Sequence, residues 1–302
     1  MTKSLVEGTV IRLRSGFYTI QTDTDIVTCS IRGRLKRNPV DADRVAIGDR
    51  VLISMDHREG AIEEVLERRS ALVRLAPSPR GLYQQVLLAN ADQVLLVFAC
   101  AHPAPHLRML DRFLVICEKQ GIAPVIVANK VDLVGLAEAE ALFSFYKPIG
   151  YPVYFTSAVE ETGVQDLLPL LKDKITAFAG PSGVGKSSLL NAIQPDLGVA
   201  VSEVSSVTER GRHTTVVRQL YQLHQGGYVA DLPGLRSLAL WDTQPEELDG
   251  YFPDLRDLVS QCQYNNCSHQ SEPGCAVRRA VEEGRVHPER YESYLRMRQG
   301  KE

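Results

Sequence analysis

The chain has 302 residues, of which 44% are hydrophobic and 24% charged, and its formal net charge is −3. These values are typical of a globular protein of two or three domains, and they argue against a generic nucleic-acid-binding chain. No apolar run reaches the ~18 residues that a membrane span needs, and residues 1–7 are too polar for a signal-peptide core. We therefore expect a cytoplasmic protein that does not bind membranes.

The first predicted unit, residues 1–70, is an OB-like β-barrel. Its short runs of β-forming residues are separated by turn residues, as in small closed barrels. The alternative is a small β-sheet module without a binding role. The predicted strands are residues 8–14, 17–21, 26–31, 50–55 and a last strand from residue 60.

A basic run lies between the third and fourth predicted strands. Four cationic side chains fall within six residues, namely Arg32, Arg34, Lys36 and Arg37. Such a run is commonly a solvated loop, and the alternative is a contact site for phosphate groups.

Residues 71–245 are predicted to form an α/β domain around a parallel sheet. Nearly continuous apolar runs are typical of strands that are buried on both faces. An amphipathic helix is predicted from residue 107 to residue 117, with its end at Gly121. Residues 76–81 are interpreted as a linker or boundary loop before this domain. The predicted strands are residues 93–100, 124–128, 153–155 and 175–179.

The loop after the strand at residues 175–179 has the G-x4-G-K-S spacing of a phosphate-binding loop. Its glycines allow backbone N–H groups to converge on an anion, and the following helix adds its positive end. Lys186 is expected to reach the β- and γ-phosphates, and Ser187 to ligate Mg²⁺. The residues predicted to contact the nucleotide are Gly180, Pro181, Ser182, Gly183, Val184, Gly185, Lys186, Ser187 and Ser188.

A base-recognition motif, Asn-Lys-Val-Asp, follows the strand at residues 124–128. Its last residue, Asp132, can accept both the ring N–H and the amino N–H of guanine. Adenine presents an acceptor at the ring position, so the motif predicts a guanine nucleotide. We expect the asparagine to tie neighbouring loops together, the lysine stem to cover the base, and a backbone N–H to meet the guanine oxygen. The residues predicted to form this site are Asn129, Lys130, Asp132, Ser157 and Ala158.

A second acidic motif, Asp-Leu-Pro-Gly, begins at Asp231. Asp231 is expected to hold Mg²⁺ through water, and the N–H of Gly234 to sense the γ-phosphate. Residues 211–215 lie between this motif and the phosphate loop. Thr215 is expected to complete the magnesium shell, with Thr214 as the alternative. A surface loop without a ligand is the competing interpretation of this stretch.

The residue after the acidic motif predicts slow unaided hydrolysis. Many GTPases carry a glutamine there that orients the attacking water, whereas this chain has Leu235. Because an apolar side chain cannot orient water, we expect a partner to reorganise the site. The predicted catalytic residues are His213 as a water-positioning group, Lys186 and Thr215.

Residues 246–302 are predicted to form a mainly helical zinc-binding domain. Three thiolates and one imidazole form a closed tetrahedral set, which is typical of structural rather than catalytic Zn²⁺. The alternative is a group of free cysteines. Helices are predicted at residues 278–283 and 288–298. The predicted zinc ligands are Cys262, Cys267, His269 and Cys275.

The guanine motif precedes the phosphate loop, which is the reverse of the usual order in GTPases. With the β-rich start and the Cys/His cluster, this order resembles the RsgA (YjeQ) family of circularly permuted GTPases. The resemblance implies a monomeric GTPase that binds the 30S ribosomal subunit and 16S rRNA, the latter through its OB-fold RNA-binding barrel and zinc-binding domain. It further implies that the protein assists late 30S maturation and hydrolyses GTP to GDP when the subunit stimulates it. One structural Zn²⁺ per chain and Mg²⁺ with GTP are the implied cofactors.

Two other functions compete with this interpretation. In the first, the chain is an rRNA-binding assembly factor that binds GTP and hydrolyses it only incidentally. The second, an ATP-dependent kinase or ATPase, is disfavoured by Asp132. The permutation also suggests a mechanical hypothesis, because residues 205–215 and 231–237 lie close in sequence to the zinc-binding tail. Loss of the γ-phosphate would relax these segments and move the tail on RNA.

Overall fold

The computed structural model describes residues 5–32, 43–56, 59–78, 81–199, 218–232 and 243–301. The strands are β1 (Leu5–Arg14), β2 (Phe17–Gln21), β3 (Ile26–Ile31), β4 (Arg50–Asp56), β5 (Glu59–Val65), β6 (Ala71–Ser78), β7 (Gly81–Ala89), β8 (Gln93–Ala99), β9 (Ala123–Asn129), β10 (Val153–Thr156), β11 (Ile175–Ala179), β12 (Arg218–Gln219), β13 (Tyr221–Gln222) and β14 (Tyr228–Asp231). The α-helices are α1 (Leu107–Gln120), α2 (Leu136–Phe143), α3 (Leu168–Leu171), α4 (Lys186–Ile193), α5 (Pro253–Val259), α6 (Ala276–Glu282) and α7 (Pro288–Arg298). The predictions made for Arg34, Lys36, Arg37, His213, Thr214, Thr215, Gly234 and Leu235 lie outside the described residues.

The N-terminal strands close into a barrel, as the sequence predicts. The order is β1-β2-β3-β5-β4, and β1 also pairs with β4, which removes the open edges. Strands β3 and β5 run parallel, and the other barrel pairs are antiparallel. Alternate side chains point inward, so that Val10, Ile20, Ile53 and Ile62 are fully buried.

The interpretation of residues 76–81 as a linker or boundary loop is wrong for the residues that the structure describes there, 76–78 and 81. Strands β6 and β7 form an antiparallel hairpin whose pairing extends from Ala71 and Ala89 to Ser78 and Gly81. Pro77 and Gly81, which suggest a linker in the sequence, stand instead in β6 and β7. A proline is tolerated in β6 because this two-stranded sheet has only edge strands.

The central sheet has the order β10-β9-β8-β11-β14-β13, and all its pairs are parallel except β13 with β14. Strand β8 is buried along its whole length, as expected for a sheet that is covered on both faces. From β8 the chain first extends the sheet towards β10 and later, with β11, towards β14. The direction therefore reverses between β8 and β11, and ligands of α/β proteins bind in the crevice at such a point.

The C-terminal segment packs a small core of its own against helix α1. Leu248, Phe252, Leu255 and Tyr294 are buried together, and Val115 of α1 belongs to the same cluster. The predicted α/β domain and the predicted helical tail are thus both present. Among the helices that the structure describes, none has the length and apolar character required to cross a membrane.

A buried ion network fastens this tail to the central domain. Arg290 of α7 is fully buried and donates hydrogen bonds of 2.7 Å to Asp111 Oδ1 in α1 and 2.7 Å to Asp254 Oδ1 in α5. The hydroxyl of Tyr146 also donates to Asp111, over 2.8 Å. The Arg290 guanidinium lies 4.5 Å from the ring centre of Phe252. Charge pairs and aromatic packing therefore connect three helices that lie far apart in sequence.

The barrel is attached to the central domain in a different way. Strand β12 pairs antiparallel with β1, and the N–H of Leu220 donates to the carbonyl of Ile11 over 2.8 Å. A second contact lies next to this one, since Asn90 Nδ2, after β7, donates to the carbonyl of Gly48 over 2.9 Å. Beside it Arg68, in the segment that connects β5 to β6, donates from Nε to the buried Asp49 Oδ1 over 2.7 Å. The barrel thus extends its own sheet with a strand that belongs to the central domain.

Candidate nucleotide site and metal centre

The phosphate loop joins β11 to α4 in a conformation that requires glycine. Gly180 and Gly185 have φ values of 146° and 93°, which other residues rarely adopt. A Cβ atom on Gly180 would lie 2.1 Å from the carbonyl oxygen of Val97, and one on Gly185 would lie 2.5 Å from Asn129 Nδ2. The loop is therefore pressed against β8 and against the base-recognition motif, and larger residues would open it.

The predicted phosphate-binding side chains point across this loop. Lys186 Nζ donates to the carbonyl oxygens of Gly180 and Pro181, at 3.0 and 2.9 Å. Ser187 Oγ donates to Asp231 Oδ2 at 3.2 Å. The parallel pairing of β11 and β14 brings the last two residues together from distant parts of the chain.

The carboxylate of Asp231 fits a magnesium ion. Its Oδ1 is buried and has no hydrogen-bond partner. Burial raises the pKa of Asp231, while Lys186 and the Ser187 hydroxyl oppose that shift. A buried, unpaired carboxylate oxygen beside a serine hydroxyl is the pair of hard oxygen ligands that Mg²⁺ takes in phosphate-binding sites.

Asn129 joins the base-recognition motif to the phosphate loop. It is 1% exposed, and its Nδ2 donates to the carbonyl of Val184 over 2.9 Å. Its Oδ1 accepts a 3.0 Å hydrogen bond from the hydroxyl of Thr156 at the end of β10. The two nucleotide motifs therefore form one continuous surface at the carboxyl edge of the sheet. The sequence did not point to Thr156, because nothing in its local pattern marks it as a partner of Asn129.

The other base-site residues surround the same edge. Lys130 has a left-handed backbone, with φ 64°, and its Nζ bonds to the carbonyl of His102. Asp132 is exposed in the short turn Val131–Leu133. The N–H of Ser157 donates to the carbonyl of Thr162 over 2.9 Å, so this donor is already engaged within its own loop. Ala158, the next residue, is half-buried.

The C-terminal cluster brings its four side chains to one point. The ligand atoms of Cys262, Cys267, His269 and Cys275 all lie within 4.8 Å of one another. His269 is fully buried, and its Nδ1 is 3.4 Å from the sulfur of Cys275. The cluster can hold a metal ion. Burial raises the pKa of the Cys267 thiol to about 12, and a bound cation would favour its thiolate form.

Two features support the cluster from outside. Asp249 Oδ2 lies 3.3 Å from Nε2 of His269 and orients the ring so that Nδ1 points to the sulfurs. A carboxylate in this position is a common partner of a metal-bound histidine. The N–H of Ala276 donates to the sulfur of Cys262 over 3.4 Å, at the start of α6. Asp249 could not be identified from the sequence, since its spacing from the cysteines follows no recognised pattern.

A barrel, a guanine-nucleotide α/β domain with reversed motif order and a Cys/His cluster together define a permuted GTPase. Comparison with known proteins agrees with this class. A family model described as RsgA GTPase matches residues 65–241, and one described as RsgA N-terminal domain matches residues 7–62. The chain belongs to the RsgA family and is a GTP hydrolase, as its motif order predicted.

Individual relatives match over nearly the whole chain. The small ribosomal subunit biogenesis GTPase RsgA of Gemmatimonas aurantiaca is 45% identical, with 96% of each chain covered. The protein of the same name from Bacillus subtilis is 39% identical over 96% of this chain and 95% of its own. The crystal structure of YjeQ from Thermotoga maritima superimposes with a TM-score of 0.80 at 34% identity, covering 99% of both chains. That of YloQ, a circularly permuted GTPase, gives 0.76 at 34% identity, with 99% of this chain and 95% of that chain covered.

Proposed function

We propose that this GTPase binds the 30S ribosomal subunit and assists its late maturation, hydrolysing GTP to GDP and phosphate when the subunit stimulates it. It acts as a monomer in the cytoplasm and contacts 16S rRNA through its barrel and its Cys/His domain. The observation that carries the proposal is the direct bond between Asn129 and the phosphate loop, in a chain whose relatives are named for biogenesis of the small subunit. One surface can then read the base and hold the phosphates.

Guanine recognition rests on three groups around the carboxyl ends of β9 and β10. Asp132 is exposed and accepts the ring and amino N–H groups of guanine. Lys130 lies beside it with its stem available to cover the base. Since the N–H of Ser157 is engaged by Thr162, the N–H of Ala158 is the donor that we assign to the guanine oxygen.

Phosphate binding uses groups that are already in place. Lys186 exchanges its bonds to the carbonyls of Gly180 and Pro181 for the β- and γ-phosphate oxygens. Ser187 would hold Mg²⁺ directly and Asp231 through water, with Thr215 completing the shell, and a bound ion would supply positive charge beside the phosphates. Gly234 senses the γ-phosphate, and His213 positions the attacking water. A structural Zn²⁺ occupies the Cys/His cluster, where all four ligands come from the protein and none is left for water.

GTP turnover with and without purified 30S subunits tests the proposal directly. Unaided Ras-like GTPases turn over at about 10⁻⁴–10⁻³ s⁻¹, and activating partners can accelerate them by orders of magnitude. With Leu235 in place of the glutamine, we expect a rate at or below that range and a rise of at least about tenfold with subunits. If the chain binds 30S subunits but its GTP turnover rate does not rise, it would instead be an assembly factor in which hydrolysis is incidental.

Base specificity has a separate test. In the variant Asp132→Asn the amide presents a donor where guanine also has donors, so GTP affinity should fall by at least about 100-fold. The matched control is Asp166→Asn, an exposed aspartate of the same domain, which should bind GTP as the wild type does. An unchanged preference for GTP in Asp132→Asn would refute the assignment of the base.

A further inference from the structure

A hollow lies on the outer face of the barrel, over strands β1, β2 and β3 and the turn that joins the first two. Its volume is about 320 Å³. None of its lining residues belongs to the nucleotide motifs or to the Cys/His cluster. The hollow is lined by Arg12, Arg14, Ser15, Phe17, Thr19 and Thr28.

Strand register places these side chains together on one face of the sheet. An intervening row of paired residues packs against the barrel core and consists of Leu13, Tyr18 and Cys29. Because successive side chains on a strand point to opposite faces, the rows on either side of it point outward. The two outward rows are Arg12–Thr19–Thr28 and Arg14–Phe17.

The two arginines of this face have no side-chain partner among the residues that the structure describes. Neither guanidinium makes a hydrogen bond or an ion pair there, and Nε of Arg12 is buried without an acceptor. None of the six lining residues is acidic. Arg12 and Arg14 therefore give the face two uncompensated positive charges, which favour an anionic ligand.

The basic run that the sequence suggests as a phosphate contact differs in this respect. Arg32 is its member within the described residues, and its Nε lies 2.8 Å from Oε1 of Glu63. Its Nη2 also donates to Ser54 Oγ over 3.4 Å. Arg50 of β4 is likewise paired with Glu7. Among the described arginines of the barrel, those without a partner are thus the two that line the hollow.

An exposed aromatic ring stands beside these charges. Phe17 is 59% exposed, more than any other phenylalanine or tyrosine in the described part of the chain. The two-residue turn before it has left-handed backbone at Ser15 and Gly16, with φ 49° and 82°, and sets Phe17 opposite Arg14. Proteins bind single-stranded nucleic acids through this combination, because bases stack on the ring and phosphates meet the cations.

We propose that this face binds an unpaired nucleotide of RNA, with its base stacked on Phe17 and its phosphate on Arg12 and Arg14. The hydroxyls of Thr19 and Thr28 line the same hollow and can bond ribose or phosphate oxygens. Small-molecule sites usually measure about 300–1,000 Å³, so the hollow suits one nucleotide. The carboxylates of an acidic peptide would meet the arginines but leave the ring exposed. This inference rests on the proposed function, because it names the residues through which the barrel would contact rRNA.

Binding of a short oligoribonucleotide to the full chain tests the ring. In Phe17→Leu the side chain stays apolar but cannot stack, so affinity for a single strand of about 10 nucleotides should fall at least about fivefold. Fluorescence anisotropy measures it. The control Met55→Leu alters an exposed apolar residue of β4 outside the hollow and should bind as the wild type does. The Tm should be the same in all three proteins. Equal affinity of Phe17→Leu and wild type, or no binding by the wild type, would overturn the inference.

The salt dependence of the same binding tests the charges. In the double variant Arg12→Gln, Arg14→Gln, two cations are lost, so the slope of log K against log salt should become shallower by about 0.7 to 1.4. The control Arg50→Gln removes a paired arginine of the same barrel and should leave the slope unchanged. A slope that falls in Arg32→Gln and not in the double variant would move the contact to the basic run and refute the assignment.

Two competing ligands identify the partner. An RNA duplex of the same length hides its bases, so it should bind at least about fivefold more weakly than the single strand. Tighter binding of an acidic peptide than of the oligoribonucleotide, at the same salt concentration, would identify a protein partner and refute the RNA assignment. Failure of the wild type to bind 30S subunits would refute the proposed function instead, while the oligoribonucleotide titrations would still decide the role of this face.

Discussion

The barrel and the C-terminal tail are held to the central domain by different kinds of contact. The tail sits on α1 through a shared apolar cluster that includes Val115 and through the buried Arg290 network. The barrel is joined by backbone pairing of β1 with β12 and by the Arg68–Asp49 pair. Side-chain packing fixes the tail to a rigid helix, whereas the barrel is bonded to a segment that flanks the predicted phosphate sensors.

This difference changes the expectation about how nucleotide state is transmitted. Arg218, the first residue of β12, follows Thr215 by three residues, and the chain continues from it to Asp231 at the end of β14. The segment with Thr215 therefore adjoins a strand that is paired with the barrel, and Asp231 ends the strand β14 that follows it in the central sheet. The sequence suggested that the tail would respond to loss of the γ-phosphate. The strand pairing in the described residues instead indicates that the barrel is the first domain whose contacts change when the γ-phosphate is lost.

Removal of the metal should have the largest effect, and only on the tail. Structural zinc contributes about 10–16 kcal/mol in zinc-finger peptides, and the small apolar cluster of the tail is too limited to replace it. Cys267→Ser should lose the bound metal and the amide protection of residues 243–301, measured by atomic emission and hydrogen exchange. The control Cys29→Ala, which alters a buried barrel cysteine, should keep one metal per chain. A metal-free wild type with a fully protected tail would contradict this.

Loss of the buried Arg290 cation should have the next largest effect on the stability of the tail. Arg290→Met leaves the buried carboxylates of Asp111 and Asp254 without their partner, which should destabilise the tail by about 3–5 kcal/mol. Urea unfolding followed by circular dichroism, together with native-state exchange of α7 amides, measures it. The same change at exposed Arg285 should cost less than about 1 kcal/mol. Equal stability of the two variants would mean that the network does not hold the tail in place.

Loss of the buried charge at Asp49, on the barrel side, should lower the free energy of unfolding by less than loss of the Arg290 charge. Asp49 is fully buried and accepts hydrogen bonds from Arg68 Nε at 2.7 Å and from the N–H of Ala46 at 2.7 Å. Asp49→Asn keeps the shape but loses the charge, so we expect a loss of about 1.5–3 kcal/mol. Exposed Asp23 provides the control, because Asp23→Asn should leave the unfolding midpoint in place. If Asp49→Asn lowers the free energy of unfolding by more than Arg290→Met does, the barrel contact and not the tail contact would be the more stabilising of the two.

The smallest expected effect is the response of β1 amide exchange to the bound nucleotide. It decides which domain is coupled to the nucleotide state. Between GDP and a non-hydrolysable GTP analogue, amide exchange of β1 at residues 11–13 should change by at least about fivefold, the low end of allosteric coupling. Exchange in α7 should not change. Hydrogen exchange with mass spectrometry measures both regions in one experiment. If α7 responds and β1 does not, the tail is the coupled domain, as the sequence suggested.

Local structure was largely predictable from the sequence. The strand predicted at residues 175–179 agrees with β11, and the helix predicted at residues 288–298 agrees with α7. These elements follow from apolar periodicity and from proline and glycine, which act within a few residues. The β6–β7 hairpin was missed because its turn residues are equally typical of a linker.

The sequence by itself determined the class of protein, because motif identity and motif order are one-dimensional properties. The glycines of the phosphate loop are also recognisable from the sequence, because the backbone conformation that requires them is local. Tertiary structure alone decided that Asn129 bonds the phosphate loop, that Asp249 orients His269, and that Arg290 meets Asp111 across 179 positions of the chain. Such contacts depend on how separate elements pack, and no spacing along the chain records which of many polar side chains will meet. For the same reason, only the folded chain shows that the barrel, through β12, adjoins the segments that are predicted to sense the nucleotide.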